Sequence, residues 1–315
     1  MRSCLSGPSP LPLDASHNKS GLGAFTLGNG DQTRYDTRQI GMKPVSASAA
    51  LAAAESAARA AGKLMKAHLR RAKKVNEATQ HDIKLDLDVR CQRLITRQLA
   101  LEFPEIPVLG EEGCDPSIEE APARWVVDPI DGTVNYAYGI PHACVSIALQ
   151  VRDRKRYSTL MGVVHDPFLD ETWTATATGP ARLNGRKIHV SPRPRLSEAI
   201  VSLGFAKSKE TLDRMLPVFG ELIHQVRKVR LMGSAALALT YVADGRFDAY
   251  VEAGIRLWDV AAGGLIVQRA GGRFEITPIE GEPYKYSLNA NNGQIHAPLK
   301  RIADRFPTSS PTPEP

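Results

Sequence analysis

The chain has 315 residues, enough for one large domain or two closely packed ones, and its 43% apolar and 23% charged content is that of a globular protein with a sizeable core. No run of about eighteen apolar residues occurs, which excludes a membrane-spanning helix, and the proline-bearing first twenty residues lack the apolar core of a secretory signal. The net charge of +6 does not by itself make a nucleic-acid binder. Its densest cluster, Arg70, Arg71, Lys73 and Lys74, falls at a helix end where cations complement the dipole, and no aromatic residues interleave the basic ones.

Residues 1–43 are rich in Gly, Ser, Pro, Asn and Asp and show no period, so they are expected to be a disordered extension, and Pro307–Pro315 a disordered tail. Between them a folded region, 44–306, is expected in two subdomains, about 44–190 and 191–306. An alanine-rich helix is predicted over Ser46–Arg71, capped by Ser46 or Ser48, and a second over Asp86–Phe103, stopped by Pro104. The polar stretch Val75–Ile83 between them reads as a mobile loop. From Arg124 to Thr176 the pattern turns to strands. Ala143–Val151 and Ser158–Val164 form an antiparallel pair about a charged turn, Arg152–Lys155.

Asn184-Gly185 marks a hairpin leading into a strand at Lys187–Val190. Thereafter strands at Ala199–Leu203, Val229–Leu231, Phe247–Glu252 and Gly272–Ile276 alternate with helices at Lys209–Val226, Gly233–Asp244 and Asp259–Ala270, and Leu299–Arg305 closes with a helix. Alternation of this kind argues layered helices and sheets of the α+β class. Four cysteines, at 4, 91, 114 and 144, have neither Cys-x-x-Cys nor metal-ligand spacing, so a zinc site or disulfide framework is unsupported and a reducing cytoplasm is expected. Cys91 and Cys144 lie in apolar patterns and read as core fillers.

The chemistry concentrates in Trp125–Tyr136, Trp-Val-Val-Asp-Pro-Ile-Asp-Gly-Thr-Val-Asn-Tyr. Asp128 and Asp131 follow an apolar run and flank a proline that should stop the strand, while Gly132 lets the backbone come close to a ligand. Two carboxylates, the Ile130 carbonyl, the Thr133 hydroxyl and unpaired N–H groups suit a hard divalent cation and the phosphate it holds. Asp-Pro and Asp-Gly are also ordinary turn dipeptides, so the motif alone decides little. Further acids end two other apolar segments: Glu111 and Glu112 in Gly-Glu-Glu-Gly, and Asp259 in Trp-Asp-Val-Ala-Ala-Gly. Buried like charges repel strongly unless a cation sits among them.

Asp-Pro-Ile-Asp-Gly-Thr-x-Asn-Tyr, together with Trp-Asp-x-Ala-Ala-Gly, Gly233-Ser-Ala-Ala and Gly245-Arg-Phe-Asp-Ala-Tyr-Val-Glu252, resembles the inositol monophosphatase family of magnesium-dependent, lithium-sensitive phosphatases. The likeness runs from about Ala49 to Arg305. It implies the five-layered α-β-α-β-α sugar-phosphatase fold, usually as a homodimer, and two or three Mg²⁺ ions. It also implies that Glu111, Asp128 and the Ile130 carbonyl hold a first metal, and Asp128, Asp131 and Asp259 a second. Position alone does not choose between Glu111 and Glu112; the family pattern selects Glu111, which stands among the catalytic residues as well.

By the same resemblance Thr133 activates water, hydrogen-bonded to an upstream acid. Asp88 aligns best for that acid, with Asp86 its rival, although acids in a helix's first turn are common without any such duty. Gly132 and Thr133 N–H groups, beside Asp131, suit phosphate oxygens at a helix start. Glu252 matches the glutamate that reads substrate hydroxyls, and Ala235 contributes backbone. Trp258 reads as packing, and His142, His165 and His189 match no required role.

The implied reaction is hydrolysis of a small polyol or sugar phosphate, most simply myo-inositol monophosphate, with no membrane and no specific nucleic acid as partner. Fructose 1,6-bisphosphate, histidinol phosphate and phosphoadenosine phosphate are the alternative substrates, although Thr-Val-Asn-Tyr suits the inositol branch better than the nucleotide one. A regulatory binding protein that retains the fold is the alternative of another class. Arg256 replaces a less charged residue of some relatives, which leaves the sugar open.

Overall fold

The computed structural model describes residues 45–71, 75–78, 83–114, 116–154, 156–205 and 208–305. The two tails expected to be disordered, 1–43 and 307–315, lie outside these described residues, as do Lys73, Lys74 and Lys155. In chain order the elements are α1 (Ala47–His68), β1 (Val75–Ala78), β2 (Ile83–Leu85), α2 (Asp86–Glu102), β3 (Val108–Gly110), β4 (Gly113–Cys114), β5 (Ala123–Asp131), α3 (Thr133–Ala137), β6 (Cys144–Asp153) and β7 (Arg156–Asp166). They continue with β8 (Glu171–Thr176), β9 (Arg182–Leu183), β10 (Arg186–Lys187), β11 (Ile200–Phe205), α4 (Lys209–Gln225), β12 (Lys228–Arg230), α5 (Ala235–Ala243), β13 (Ala249–Arg256), α6 (Leu257–Arg269), β14 (Arg273–Pro278), β15 (Lys285–Asn291) and α7 (His296–Asp304).

Two large sheets stack with helices outside and between them, giving the α-β-α-β-α order. The first has eight strands in the order β10-β9-β8-β7-β6-β5-β3-β4, and the second has five, β12-β11-β13-β15-β14. Helix patterning explains the layering. In α1 the buried residues Ala50, Ala53, Ala54, Ala57, Ala58, Ala61 and Met65 form one stripe, so the helix covers a sheet and leaves its other face to water. In α5 every residue except Tyr241 is buried, and α6 is buried nearly all round, so both fit only between the sheets. Their small residues permit close approach. A Cβ on Gly162 of β7 would lie 2.8 Å from the α6 backbone at Ala262, so only glycine lets the helix that carries Asp259 sit this low on the sheet.

Several sequence expectations change. Val75–Ile83, expected to be a loop, carries β1 at its start and the first residue of β2 at its end, the two strands paired antiparallel, while 79–82 lie outside the described residues. Such a ribbon rests on backbone hydrogen bonds, which a polar sequence does not announce. The β6–β7 turn is tighter than expected: Asp153 pairs with Arg156, so both strands run on to the tip. After Asn184-Gly185 the predicted strand over Lys187–Val190 shrinks to Arg186–Lys187, closing a two-residue hairpin in which Asn184 has φ +48° and Gly185 +80°. β15 was not expected from the sequence, and it sits between β13 and β14. Among the described residues, no helix is long and apolar enough to cross a membrane.

Candidate functional site

Asp128 and Asp131 lie three residues apart on one strand, and in a regular strand they would point to opposite faces. The expected strand stop at Pro129 is instead a bulge. Asp128 pairs with Ser146 and Asp131 with Cys144, so three steps on β5 match two on β6. The extra residue returns both carboxylates to one volume. Asp259 joins them from the first turn of α6, its Oδ2 accepting the Arg256 N–H at 3.0 Å. One carboxylate oxygen from each of Asp128, Asp131 and Asp259 lies within 4.8 Å of the others. Glu111, in the β3–β4 turn, stands outside this triple, close enough to act on the charge of Asp128.

The three acids differ in how they are held. Asp131 is 6% exposed, and its oxygens accept the Ala235 N–H (3.1 Å), the Ala236 N–H (2.8 Å), the Ser234 hydroxyl and the Cys144 thiol (3.6 Å). The start of α5 is therefore fastened to β5 through Asp131, and the Ala235 N–H expected for substrate is engaged there. Burial pushes Asp131 up, and these donors oppose the shift. Asp128, 2% exposed, has one oxygen on the Ile130 N–H at 3.0 Å. Burial, then Glu111, Asp131 and Asp259, drive it well above the usual carboxylate range. Asp259 rises to about 7, by burial first and then Asp131. No lysine or arginine among the described residues forms an ion pair with any of the three. Among these, only the more distant charge of Arg256 offsets Asp259, so a largely buried group of like charges without an ion pair has the chemistry of a hard divalent-cation site, and Mg²⁺ fits these residues.

Gly132 turns the chain from β5 into α3 at φ +92°, where a Cβ would lie 2.9 Å from the His142 carbonyl oxygen and 3.1 Å from that of Gly233. This turn sets Thr133 at the head of α3, where first-turn N–H groups have no partner within the helix. The Thr133 hydroxyl donates to the Ile130 carbonyl at 2.8 Å and lies 3.5 Å from Asp88 Oδ1. One hydroxyl has one proton, and here Ile130 takes it. Asp88 is 1% exposed, and its other oxygen accepts the Leu85 N–H at 2.7 Å. Burial raises it to about 7. Its rival Asp86 is only partly buried, one residue before the inward-facing Leu87. Asn135 ties this segment across the molecule, donating to the carbonyls of Met232 (2.8 Å) and His142 (3.0 Å).

Glu252 faces the same region from β13, with the Tyr250 hydroxyl donating to its carboxylate; burial raises Glu252 to about 8, against that hydrogen bond. Trp258 contributes its carbonyl, which the Ser146 hydroxyl reaches at 3.2 Å. Sequence reasoning did not find Ser234, Tyr250 or the second role of Cys144. Each is a tertiary contact, and the only signal for Ser234 was its place beside a glycine at a helix start. Buried Asp248, quoted only as part of a motif, fixes the second sheet: it accepts Arg193 at 2.8 Å, the Ile200 N–H at 2.7 Å and the Ser191 hydroxyl.

The raised carboxyls predict a pH effect on the metal-free protein. Asp88 and Asp259 have folded values of about 7 against an ordinary 3.8, so the folded state holds protons that the unfolded state has released. Their stabilisation is complete below about pH 4 and is lost as pH rises to about 7. Mg²⁺ favours the ionised forms. Its stabilising shift in Tm is therefore expected to be several degrees larger at pH 8 than at pH 5, and an equal shift at both would contradict the acid cluster as its site.

Layered sheets with an acid cluster that could hold a metal ion, beside a threonine–aspartate pair, set the class of scaffold. The chain belongs to the inositol monophosphatase family, whose model matches residues 47–307. It is 40% identical to the Nus factor SuhB of Pseudomonas aeruginosa over 223 residues, 69% of this chain and 81% of that one. It is 37% identical to the inositol-1-monophosphatase of Rhizobium meliloti over 225 residues, 69% and 81% of the two chains. Among solved structures, it is similar to the inositol monophosphatase of Anabaena, with a TM-score of 0.71, 34% identity and 83% and 97% of the two chains covered. The extragenic suppressor protein suhB of Bartonella henselae gives a TM-score of 0.73 at 31% identity, covering 82% and 99%. The family is metal-dependent and acts on phosphorylated substrates.

Proposed function

We propose that the protein hydrolyses the phosphate monoester of a small polyol or sugar, foremost myo-inositol monophosphate, in a Mg²⁺-dependent reaction. The observation that carries this is the convergence of Asp128, Asp131 and Asp259 within 4.8 Å, beside Thr133 and Asp88. In this reading Glu111, Asp128 and the Ile130 carbonyl hold one ion, and Asp128, Asp131 and Asp259 another. Bound there, Mg²⁺ supplies charge neutralisation of the phosphate and acidification of a water.

The chain's own groups do the rest. Ionised Asp88 accepts the Thr133 hydrogen bond when that hydroxyl swings off Ile130, which leaves a Thr133 lone pair to accept one from the attacking water. As the water adds to phosphorus and the ester P–O bond breaks, its proton passes to Thr133 and that of Thr133 to Asp88, while the substrate oxygen leaves and takes a proton from solvent. The first-turn N–H groups of Gly132 and Thr133 hold phosphate oxygens. Glu252, kept in place by Tyr250, accepts hydrogen bonds from substrate hydroxyls, and Asp131 stands beside the phosphate. On family grounds the working form is a cytoplasmic homodimer inhibited by lithium.

Phosphate release with Mg²⁺, measured over inositol 1-phosphate, fructose 1,6-bisphosphate, histidinol phosphate and phosphoadenosine phosphate, tests the reading. The highest kcat/KM is expected with inositol 1-phosphate, and absence of turnover on all four would sink it. A second reading, a regulatory factor that retains the fold, is supported by the Nus factor SuhB name of the Pseudomonas aeruginosa relative.

A further inference from the structure

The outer face of the second sheet carries a cavity on the other side of β13 from the acid cluster, with Val251 and the backbone at Glu252 between the two. It has a volume of about 90 Å³, between α4, α7 and strands β13–β15. At 10–15 Å³ per water-sized position this is space for roughly six to nine non-hydrogen atoms. Facing it are Arg214, Glu275, Thr277, Ser287, Asn289 and Asp304, with Met215 and Val218 as its apolar wall. Strand register explains the polar floor. Glu275 pairs with Asn289 and Thr277 with Ser287, and Asn289 pairs with Val251, which faces the α4–α7 core. A sheet face roofed by two helices is ordinarily apolar. Here the floor of β14 and β15 is not.

The charges in this cavity are arranged in an unusual way. Arg214 is half-buried, and burial pulls its guanidinium below the ordinary arginine value. It donates to the Ser287 hydroxyl but forms no ion pair with a carboxylate among the described residues. Asp304, nearby, is held by Lys300 at 2.9 Å. Glu275 lies 3.5 Å from His296 Nε2. Burial lowers the His296 pKa, and the Asn291 amide nitrogen, 3.2 Å from its Nδ1, donates to that atom. That contact turns Nε2 towards Glu275, and burial works against a full positive charge on the ring. An arginine and a glutamate thus face one cavity without an ion pair between them, and the charged side chains turned towards it (Arg214 and Lys300 against Glu275 and Asp304) balance, because Glu252, which also borders the cavity, follows Val251 on β13 and bonds Tyr250 on the opposite face.

We infer that this cavity is a binding site for a small zwitterion, an α-amino acid with a short side chain. Its carboxylate takes the free N–H groups of Arg214 and its ammonium takes Glu275. Ser287 and Asn289 provide neutral hydrogen bonds, and the side chain lies against Met215 and Val218. A plain anion such as phosphate is disfavoured, because it would meet the two acids as well as the arginine.

Calorimetric titration of the full chain with L-alanine, L-serine and L-valine tests this, with propionate and isobutylamine as single-charge controls. Saturable binding of at least one amino acid is expected, weakened about tenfold by Arg214→Met and severalfold by Glu275→Gln. Methyl NMR of the unsubstituted protein should show the shifts at Met215, Val218 and Val251, which keeps the test open if a variant folds poorly. Absence of saturable binding at tens of millimolar would overturn the inference. So would equal binding of propionate or isobutylamine, or shifts elsewhere. No step depends on turnover, so failure here leaves the proposed hydrolysis untouched.

Discussion

Asp128→Asn is expected to abolish phosphate release while making the metal-free protein more stable. The change keeps the shape of the side chain, and asparagine's Oδ1 still accepts the Ile130 N–H that Asp128 accepts at 3.0 Å. It removes the charge that the proposed ions share. A fall in kcat/KM of at least about a thousandfold is expected, about 4 kcal/mol at about 1.36 kcal/mol per decade. The stability sign is opposite because Asp128 sits buried among Glu111, Asp131 and Asp259, whose charges raise its pKa. Removing one charge from that group relieves repulsion, so at pH 8 without metal the variant should melt several degrees higher. Because burial and the neighbouring acids raise the Asp128 pKa, the gain should shrink as pH falls and the carboxyl takes up its proton. A residue that merely packs would lose stability in both conditions. Metal-dependent turnover surviving in the variant would remove Asp128 from the site. The same variant separates a regulatory role from catalysis, since a binding function that needs no turnover would persist in it.

How much of this was legible in the sequence depends on the range of the interaction. The Asp-Pro-Ile-Asp-Gly-Thr run was legible because its chemistry is local: a proline in a strand, a glycine at positive φ and two acids within four residues. Even there the proline was read as a stop, whereas the geometry is a bulge, and the bulge is what turns two alternating side chains to one side. Helices with one-sided patterns, such as α1, were found with their outer ends blurred, because end residues make few contacts. β15 was missed although Tyr286, Leu288 and Ala290 alternate. The intervening Ser287 and Asn289 are polar beneath a helical roof, so the segment matches neither a buried nor a half-solvated strand. Ser234 holds Asp131 from 103 positions away, and nothing within its own neighbourhood states that partner.

Thr133→Ala is expected to lower kcat about a hundredfold to ten-thousandfold with KM little changed, the signature of lost water activation rather than lost binding. Asp88→Asn should fall in the same range, because an amide cannot take the proton that the proposed step moves from Thr133. Acting as one unit, the two should not add: the double variant is expected to be about as slow as either single one. Thr133→Ser, which keeps the hydroxyl, should recover most of the rate. The pH profile carries the sign. Asp88 lies near 7 through burial, and it accepts a proton only when ionised, so kcat/KM should rise with pH through that region. Nearby bound metal would lower the value, moving the rise to more acidic pH as Mg²⁺ increases. If Asp88 were only a first-turn acid of α2, its amide variant would lose a little stability and leave kcat alone. Additive losses in the double variant would separate Asp88 from Thr133, and would assign the water to a different base.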